Sequence, residues 1–518
     1  MSCGEYALVA MHDTRSDSME LQFGGSTCRF LKAAVREVHS TELTQEVRLS
    51  DGMPDIGRVL TSWGQIILRS KEWQSDLVTV SGGIMVWVLY VPEDGTPVRC
   101  VDTWVPFQLK WETNEPHSEG AVRAYPLLRY VDGRGVSPRK MMIRASVGAM
   151  GEAWSLRQLQ VYHPTEVPQD VQLLKHTYPI RLPVEISEKT FLLDDDLQMP
   201  AGTVQPERLL AYTIAPQLQE KRISGDKLVV RGAGKLHVLY RCSEGKIHAA
   251  DLEIPISQYA QLEKIYDSDA NADVMMGITS LELIQNDGQQ LRIKCTMAAQ
   301  YLISDRYLID VVEDAYSPNR EVELRMEEVK LPSVAEQRSE LVQAHQKIQG
   351  ISADYIVDAW CLPDFPRQNR NGDQVTLDCA GQFQMLYYAA DDTLQSGTCG
   401  WESAVQIMAD SNSNMSFLVQ QPNAVQAVPA ADEMHFNTQI KLELNTELET
   451  NLQTVTGLEL GQLQEPDDDR PSLILCRSYG ESLWELAKRC GSTVDDIRRI
   501  NHLDAEPRCE QMLLIPVV

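Results

Sequence analysis

The chain has 518 residues and a formal net charge of −27. That length accommodates three or four domains, and the acidic balance argues against binding nucleic acid or anionic lipid through a broad electrostatic surface. Hydrophobic residues make up 43% of the chain, enough for sizeable cores, yet no stretch approaches the ~18–20 uninterrupted apolar residues of a membrane span. The opening, MSCGEYALVAMHDTR, lacks the basic-then-apolar order of a secretory signal, which points to the cytosol. Eleven cysteines, odd in number and never spaced as CxxC, fit reduced structural thiols in that compartment.

After an N-terminal segment (1–40), residues 80–90 read VSGGIMVWVLY. The stretch returns at 230–240 as VRGAGKLHVLY and at 377–387 as LDCAGQFQMLY. The closing tyrosines, Tyr90, Tyr240 and Tyr387, are 150 and 147 residues apart. A period that long is the size of a whole small domain, not of a solenoid unit. Alternate residues place Val80, Ile84, Val86, Val88 and Tyr90 on one face, and Val230, Leu236, Val238 and Tyr240 on the same face of the second copy. Arg231, Lys235, His237, Gln382 and Gln384 lie on the other. This is the pattern of a half-buried antiparallel strand. In the first copy Met85 and Trp87 interrupt the polar face, so that face is expected to be covered as well. Glycines inside each run predict a bulge or a close backbone approach.

The reading is therefore a mostly β chain of three antiparallel, sandwich-like repeat domains at 41–183, 184–340 and 341–460. Alternation alone does not separate a sandwich from an open barrel. The second copy is the cleanest. The third is read as having lost its leading strand, with a polar Asn- and Gln-rich middle at 411–428. A polar, acidic linker, GQLQEPDDDR, follows at 461–470.

Residues 471–518 change pattern. A short apolar run at 473–476 reads as a strand. Ser482 is placed to cap a helix whose apolar face is Leu483, Leu486, Ala487 and Cys490, and Gly491 stops it. A second helix follows, with Asp495 and Asp496 in its first turn and Arg498 and Arg499 in its last, the order the helix dipole favours. A strand at 512–516 completes a small α+β unit, βααβ. This unit resembles a LysM domain on three linked marks: Gly480-Glu-Ser-Leu-Trp-Glu-Leu-Ala487, Val494-Asp-Asp-Ile-Arg-Arg-Ile-Asn501 and Leu514-Ile-Pro516. Two departures stand out: Glu481 where the family has aspartate, and Glu510-Gln511 where it has glycine. LysM domains commonly bind N-acetylglucosamine polymers between the first strand–helix loop and the loop after the second helix. Here those loops hold Ser482, Asn501, Leu503 and Asp504, with Trp484 on the helix flank. These five are the candidate partner-binding residues. Asn501 also suits the end of the second helix, and Trp484 suits partial burial beside the core.

The repeats resemble the SPOCS domain of spore-coat assembly proteins. The likeness is carried in the second copy by Asp226-Lys-Leu-Val-Val-Arg-Gly232, Val238-Leu-Tyr240, Ile254-Pro255-Ile-Ser257 and Asp314-Ala-Tyr-Ser317. SPOCS-like units followed by one LysM domain are similar to the clostridial coat morphogenetic family. That resemblance implies a non-enzymatic scaffold in the mother-cell cytosol at the forespore surface. Its LysM domain would bind the coat-basement ATPase, stage IV sporulation protein A, with other coat proteins as further partners.

No catalytic residue, cofactor or metal ligand is assigned. Gly232-Ala-Gly-Lys235 fails as a phosphate loop, because Val229 and Leu236 stand where glycine and Ser/Thr are needed. The HxxE spacings His39/Glu42 and His163/Glu166 lack a further ligand, and no GxSxG nucleophile signature occurs. Asp194–Asp196 and Asp467–Asp469 read as solvated charge runs. His237 reads as a surface or interdomain residue. The competing classes are a carbohydrate-binding wall protein and an unrecognised enzyme in one repeat.

Overall fold

Period-two alternation becomes long antiparallel strands in a computed structural model that describes residues 19–21, 23–114, 120–286, 289–422, 424–430, 433–464 and 471–517. In the first repeat, Leu77–Pro92 runs between Ile56–Gln74 and Arg99–Glu112, and Lys140–Pro164 runs between Phe23–Arg48 and Gly120–Ser137. The second repeat copies this plan. Gln290–Tyr316 lies between Gln172–Gln198 and Asn271–Gln285, while Pro206–Cys242 pairs with Ile247–Tyr266. Pro206–Cys242 folds back at Gly225, whose φ is +63°.

Each pair of sheets closes on one core. In the second repeat the face predicted to be apolar, Val230, Leu236, Val238 and Tyr240, packs with Leu291, Ile293, Cys295 and Met297 of the other sheet. The expected sandwich-like, mostly β architecture is thus present. The close approach at the glycines is also present. A Cβ on Gly82 would sit 2.2 Å from the Ile67 carbonyl oxygen, and one on Gly232 would sit 2.0 Å from that of Gln217. Burial pushes the Cys295 thiol up to about 12, and the ten described cysteines are all free.

The third repeat corrects one expectation. Its leading strand is not lost: Val322–Gln349 pairs antiparallel with Glu433–Leu460 along its whole length. Only Leu331, Val342 and Ala344 of its described side chains are buried, so the apolar alternation that would reveal it is weak, and backbone hydrogen bonding to Glu433–Leu460 holds it in place. Ser413–Val419 and Gln426–Ala430 flank the other side of Glu433–Leu460, and Gln374–Ala389 runs between Leu394–Met408 and the pair Ala353–Pro363 and Arg367–Asn371. The linker from 465 to 470, with its aspartate run, and residues 1–18 lie outside the described residues.

The three repeats meet. The leucine before each recurring tyrosine, Leu89, Leu239 and Leu386, is fully buried on the face that otherwise reads as polar. These leucines share one cluster with Leu60, Trp63, Trp87, Leu210, Ile247, Val357 and Leu394. Polar contacts cross the same junctions. Gln65 Oε1 accepts from Ile214 N at 2.8 Å, Tyr388 Oη accepts from Ile247 N at 2.9 Å, and Gln300 exchanges two 2.9 Å hydrogen bonds with the Ala124 backbone. His237 sits between repeats, with Nδ1 2.7 Å from Asp251 and Nε2 3.0 Å from Asp358 of the third repeat.

At the centre, Arg123 is 1% exposed. It donates to Glu152 at 2.6 and 3.0 Å and to the Asp273 carboxylate of the second repeat at 2.8 Å. Arg36 extends the network, reaching Glu152 at 3.2 Å and Glu447 of the third repeat at 3.2 Å. Burial works against each charge, yet the opposite charges outweigh it: the Arg123 pKa is raised and that of Asp273 lowered.

Two outcomes follow from these contacts. Arg123→Met leaves Asp273 buried without its paired guanidinium and Glu152 with Arg36 alone, and is expected to cost about 3–5 kcal/mol in chemical denaturation; an unchanged midpoint would mean the network is incidental. At His237, burial opposes the charge, but Asp358 and Asp251 override it and push the pKa up from 6.5 to about 10. A raised folded-state pKa stabilises fully below the unfolded value and is lost as pH climbs through the folded one. Stability should therefore fall between pH 6.5 and 10 by more in the wild type than in His237→Gln, and parallel curves for the two would refute the assignment.

Candidate partner-binding module

The last fifty residues fold as the spacing predicts. Strands Leu473–Arg477 and Met512–Pro516 pair antiparallel, with helices α1 (Leu483–Cys490) and α2 (Val494–Asn501) between them. Leu483, Leu486, Ala487, Ile497, Leu513 and Ile515 form the core. Gly491, at φ +63°, ends α1 in the left-handed conformation that glycine adopts without strain.

The candidate residues divide in role. Ser482 is the N-cap of α1 in a reciprocal capping box: its Oγ accepts from Glu485 N at 3.2 Å, and the Glu485 carboxylate accepts from Ser482 N at 2.8 Å. Asn501 is the last residue of α2, and its side chain braces the closing strand. Its Nδ2 donates to Leu514 O at 2.6 Å and to Ile497 O at 2.9 Å, while its Oδ1 accepts from Leu514 N at 2.8 Å. Leu503 packs half-buried against the module core, and Asp504 is exposed.

Trp484 is half-buried and faces the second repeat. Its Nε1 donates to Asp314 Oδ2 at 2.8 Å, and its ring meets Tyr316 edge-on with centroids 4.8 Å apart. Lys488, one turn later, reaches the same Asp314 at 2.8 Å, and the buried Tyr316 hydroxyl donates to Ser492 O at 2.9 Å. The module is thus seated on the end of strand Gln290–Tyr316. Sequence reasoning quoted Asp314 and Tyr316 only as marks of the repeat. Nothing local to either segment signals that they receive the module.

Glu506 was also missed. Its carboxylate accepts from Leu483 N at 2.7 Å, tying the loop after α2 to the start of α1. The glycine missing from the family pattern has a structural echo, because Glu510 holds φ +67°, the left-handed region that glycine adopts without cost. Glu481 pairs with Arg489 at 2.7 Å. Among the described residues no group of three or more His, Cys, Asp or Glu is placed to hold a metal ion, and no described helix is long and apolar enough to cross a membrane.

Comparison with known proteins finds two family matches in the chain. Residues 205–284 match the family described as SipL, SPOCS domain, and residues 478–516 match the LysM domain family. The first match lies in the second repeat, the copy with the cleanest alternation. Both families are binding domains. No curated protein and no solved structure matches the chain.

Asp314→Ala removes the acceptor shared by Trp484 and Lys488. Amide hydrogen exchange across 483–492 and 314–316 should then rise while exchange in the three repeat cores stays unchanged. Unchanged exchange at the module would show that Tyr316 alone holds it.

Proposed function

We propose that this chain, which joins a SipL-type SPOCS domain to a C-terminal LysM domain, is a non-enzymatic spore-coat morphogenetic scaffold. The observation that carries the reading is the presence of both binding domains in one chain. The repeats form a rigid acidic body with shared cores, and the terminal module docks a protein partner. That partner is the coat-basement ATPase, stage IV sporulation protein A, and docking localises coat proteins to the forespore surface from the mother-cell cytosol. Leu503 and Asp504 supply the contact together with the half of the Trp484 ring left open, and the hold of Asp314 and Tyr316 on Trp484 orients them. Ser482 and Asn501 hold the loops and helix end that present it.

A half-exposed tryptophan ring suits an interface anchor even with its N–H engaged by Asp314. Sugar recognition by a single module would lack the gain that tandem modules provide, and Glu506 already occupies a backbone donor at the start of α1.

The deciding measurement is binding of the full chain to purified stage IV sporulation protein A and, separately, to N-acetylglucosamine oligomers. Trp484→Ala is expected to weaken protein binding at least about tenfold, the scale of an interface hot spot, with no sugar binding by either form. Sugar binding without protein binding would move the chain to the wall-recognition class.

A further inference from the structure

Two thiols of the terminal module meet. Cys476 stands next to last on strand Leu473–Arg477, and Cys490 is the last residue of α1. Both are half-buried against the module core, and their side chains lie within hydrogen-bond reach of each other. Arg489, anchored by Glu481 at 2.7 Å, donates from Nη2 to Cys476 Sγ at 3.5 Å. Another two cysteines, Cys361 and Cys399, show the contrast. They face Phe383 from its two sides in one sheet, which sets their backbones about 9–10 Å apart, beyond the ~7 Å that a disulfide spans.

A single thiol packed on a core is ordinarily a small hydrophobe, and burial keeps the Cys490 thiol above its usual range. Contact between two sulfurs adds a chemistry that one thiol lacks. Each can displace a small thiol carried by the other, and partial exposure lets a reagent reach them. The Arg489 guanidinium faces the negative charge that a sulfur carries during exchange. The segment between the two cysteines holds the cap Ser482 and the contacts of Trp484 and Lys488 to Asp314. A bond across its ends pins the close of α1 to the sheet.

We propose that Cys476 and Cys490 form a reversible disulfide by exchange with a low-molecular-weight disulfide. Cys476 gives its proton to water and attacks one sulfur of the reagent, whose S–S bond breaks and releases one thiolate. Cys490, deprotonated in turn, attacks Cys476 Sγ and expels the second thiolate. The two released thiolates take up the two protons. The module is oxidised by two electrons, and the reagent disulfide is reduced by two. The pair stays open in a thiol-rich compartment and closes in an oxidising one. This site holds or fails whatever partner the module docks.

The test is incubation of the full chain in buffers of stepped oxidised-to-reduced glutathione ratio, in native buffer and in urea, followed by alkylation and peptide mapping by mass spectrometry. The native chain should show a Cys476–Cys490 link that saturates and is reversed by excess reduced glutathione. The effective concentration of one thiol at the other, read from the balance of link against mixed disulfide, should be at least about tenfold higher in native buffer than in urea, because contact replaces the search of a flexible loop. Cys490→Ser should leave Cys476 as its glutathione mixed disulfide. Glutathione adducts without a link, linkage of either thiol to the exposed Cys509 instead, or an effective concentration no higher than in urea would overturn the proposal. The wild-type map decides it even if the variant does not fold.

Discussion

Arg123 sits almost wholly out of water and keeps its charge, because Glu152 and Asp273 face it at hydrogen-bond distance. An isolated guanidinium could not be buried there, and neither could the two carboxylates. The group is therefore tolerated only when the first and second repeats are docked in one register. Arg36 carries the same requirement to the third repeat through Glu447. Apolar contacts such as those of Leu89, Leu239 and Leu386 supply attraction without direction. The ion network adds direction, since a sliding repeat would strand a charge. What would otherwise be three beads on a string becomes one body.

The terminal module depends on the same body. Asp314 and Tyr316 lie at the end of the closing strand of the second repeat, and that strand is held along its length by Gln172–Gln198 and Asn271–Gln285. The seat for Trp484 and Lys488 is thus on a rigid element. It sets which side of α1 faces the body, and therefore which loops of the module remain open to a partner.

Some of this was legible in the residues. Alternation with glycines at a period near 150 announced three copies of a β domain, and it located the inner face of the central strand correctly. The helix signals of the module were local and complete: a capping residue, an apolar face at 3/4 spacing, a left-handed glycine and charges ordered with the dipole. Ser482 was therefore placed correctly as a cap. The leading strand Val322–Gln349 was not legible, because a strand with only three of its described side chains buried leaves little apolar pattern while its backbone still pairs along Glu433–Leu460.

The candidate site was legible as a module but not as a surface. Trp484 could be read as flanking the core, yet its partner lies 170 residues away in sequence. Repeat number, strand faces and the βααβ order follow from local periodicity and capping, which depend on neighbours within a turn or a strand, so the sequence by itself determined them. The inter-repeat leucine core, the buried Arg123 network and the seat on Asp314 come from segments brought together across a hundred residues or more. Only the tertiary structure decided these, because burial and charge pairing are properties of what the chain places alongside a residue and not of the residue itself.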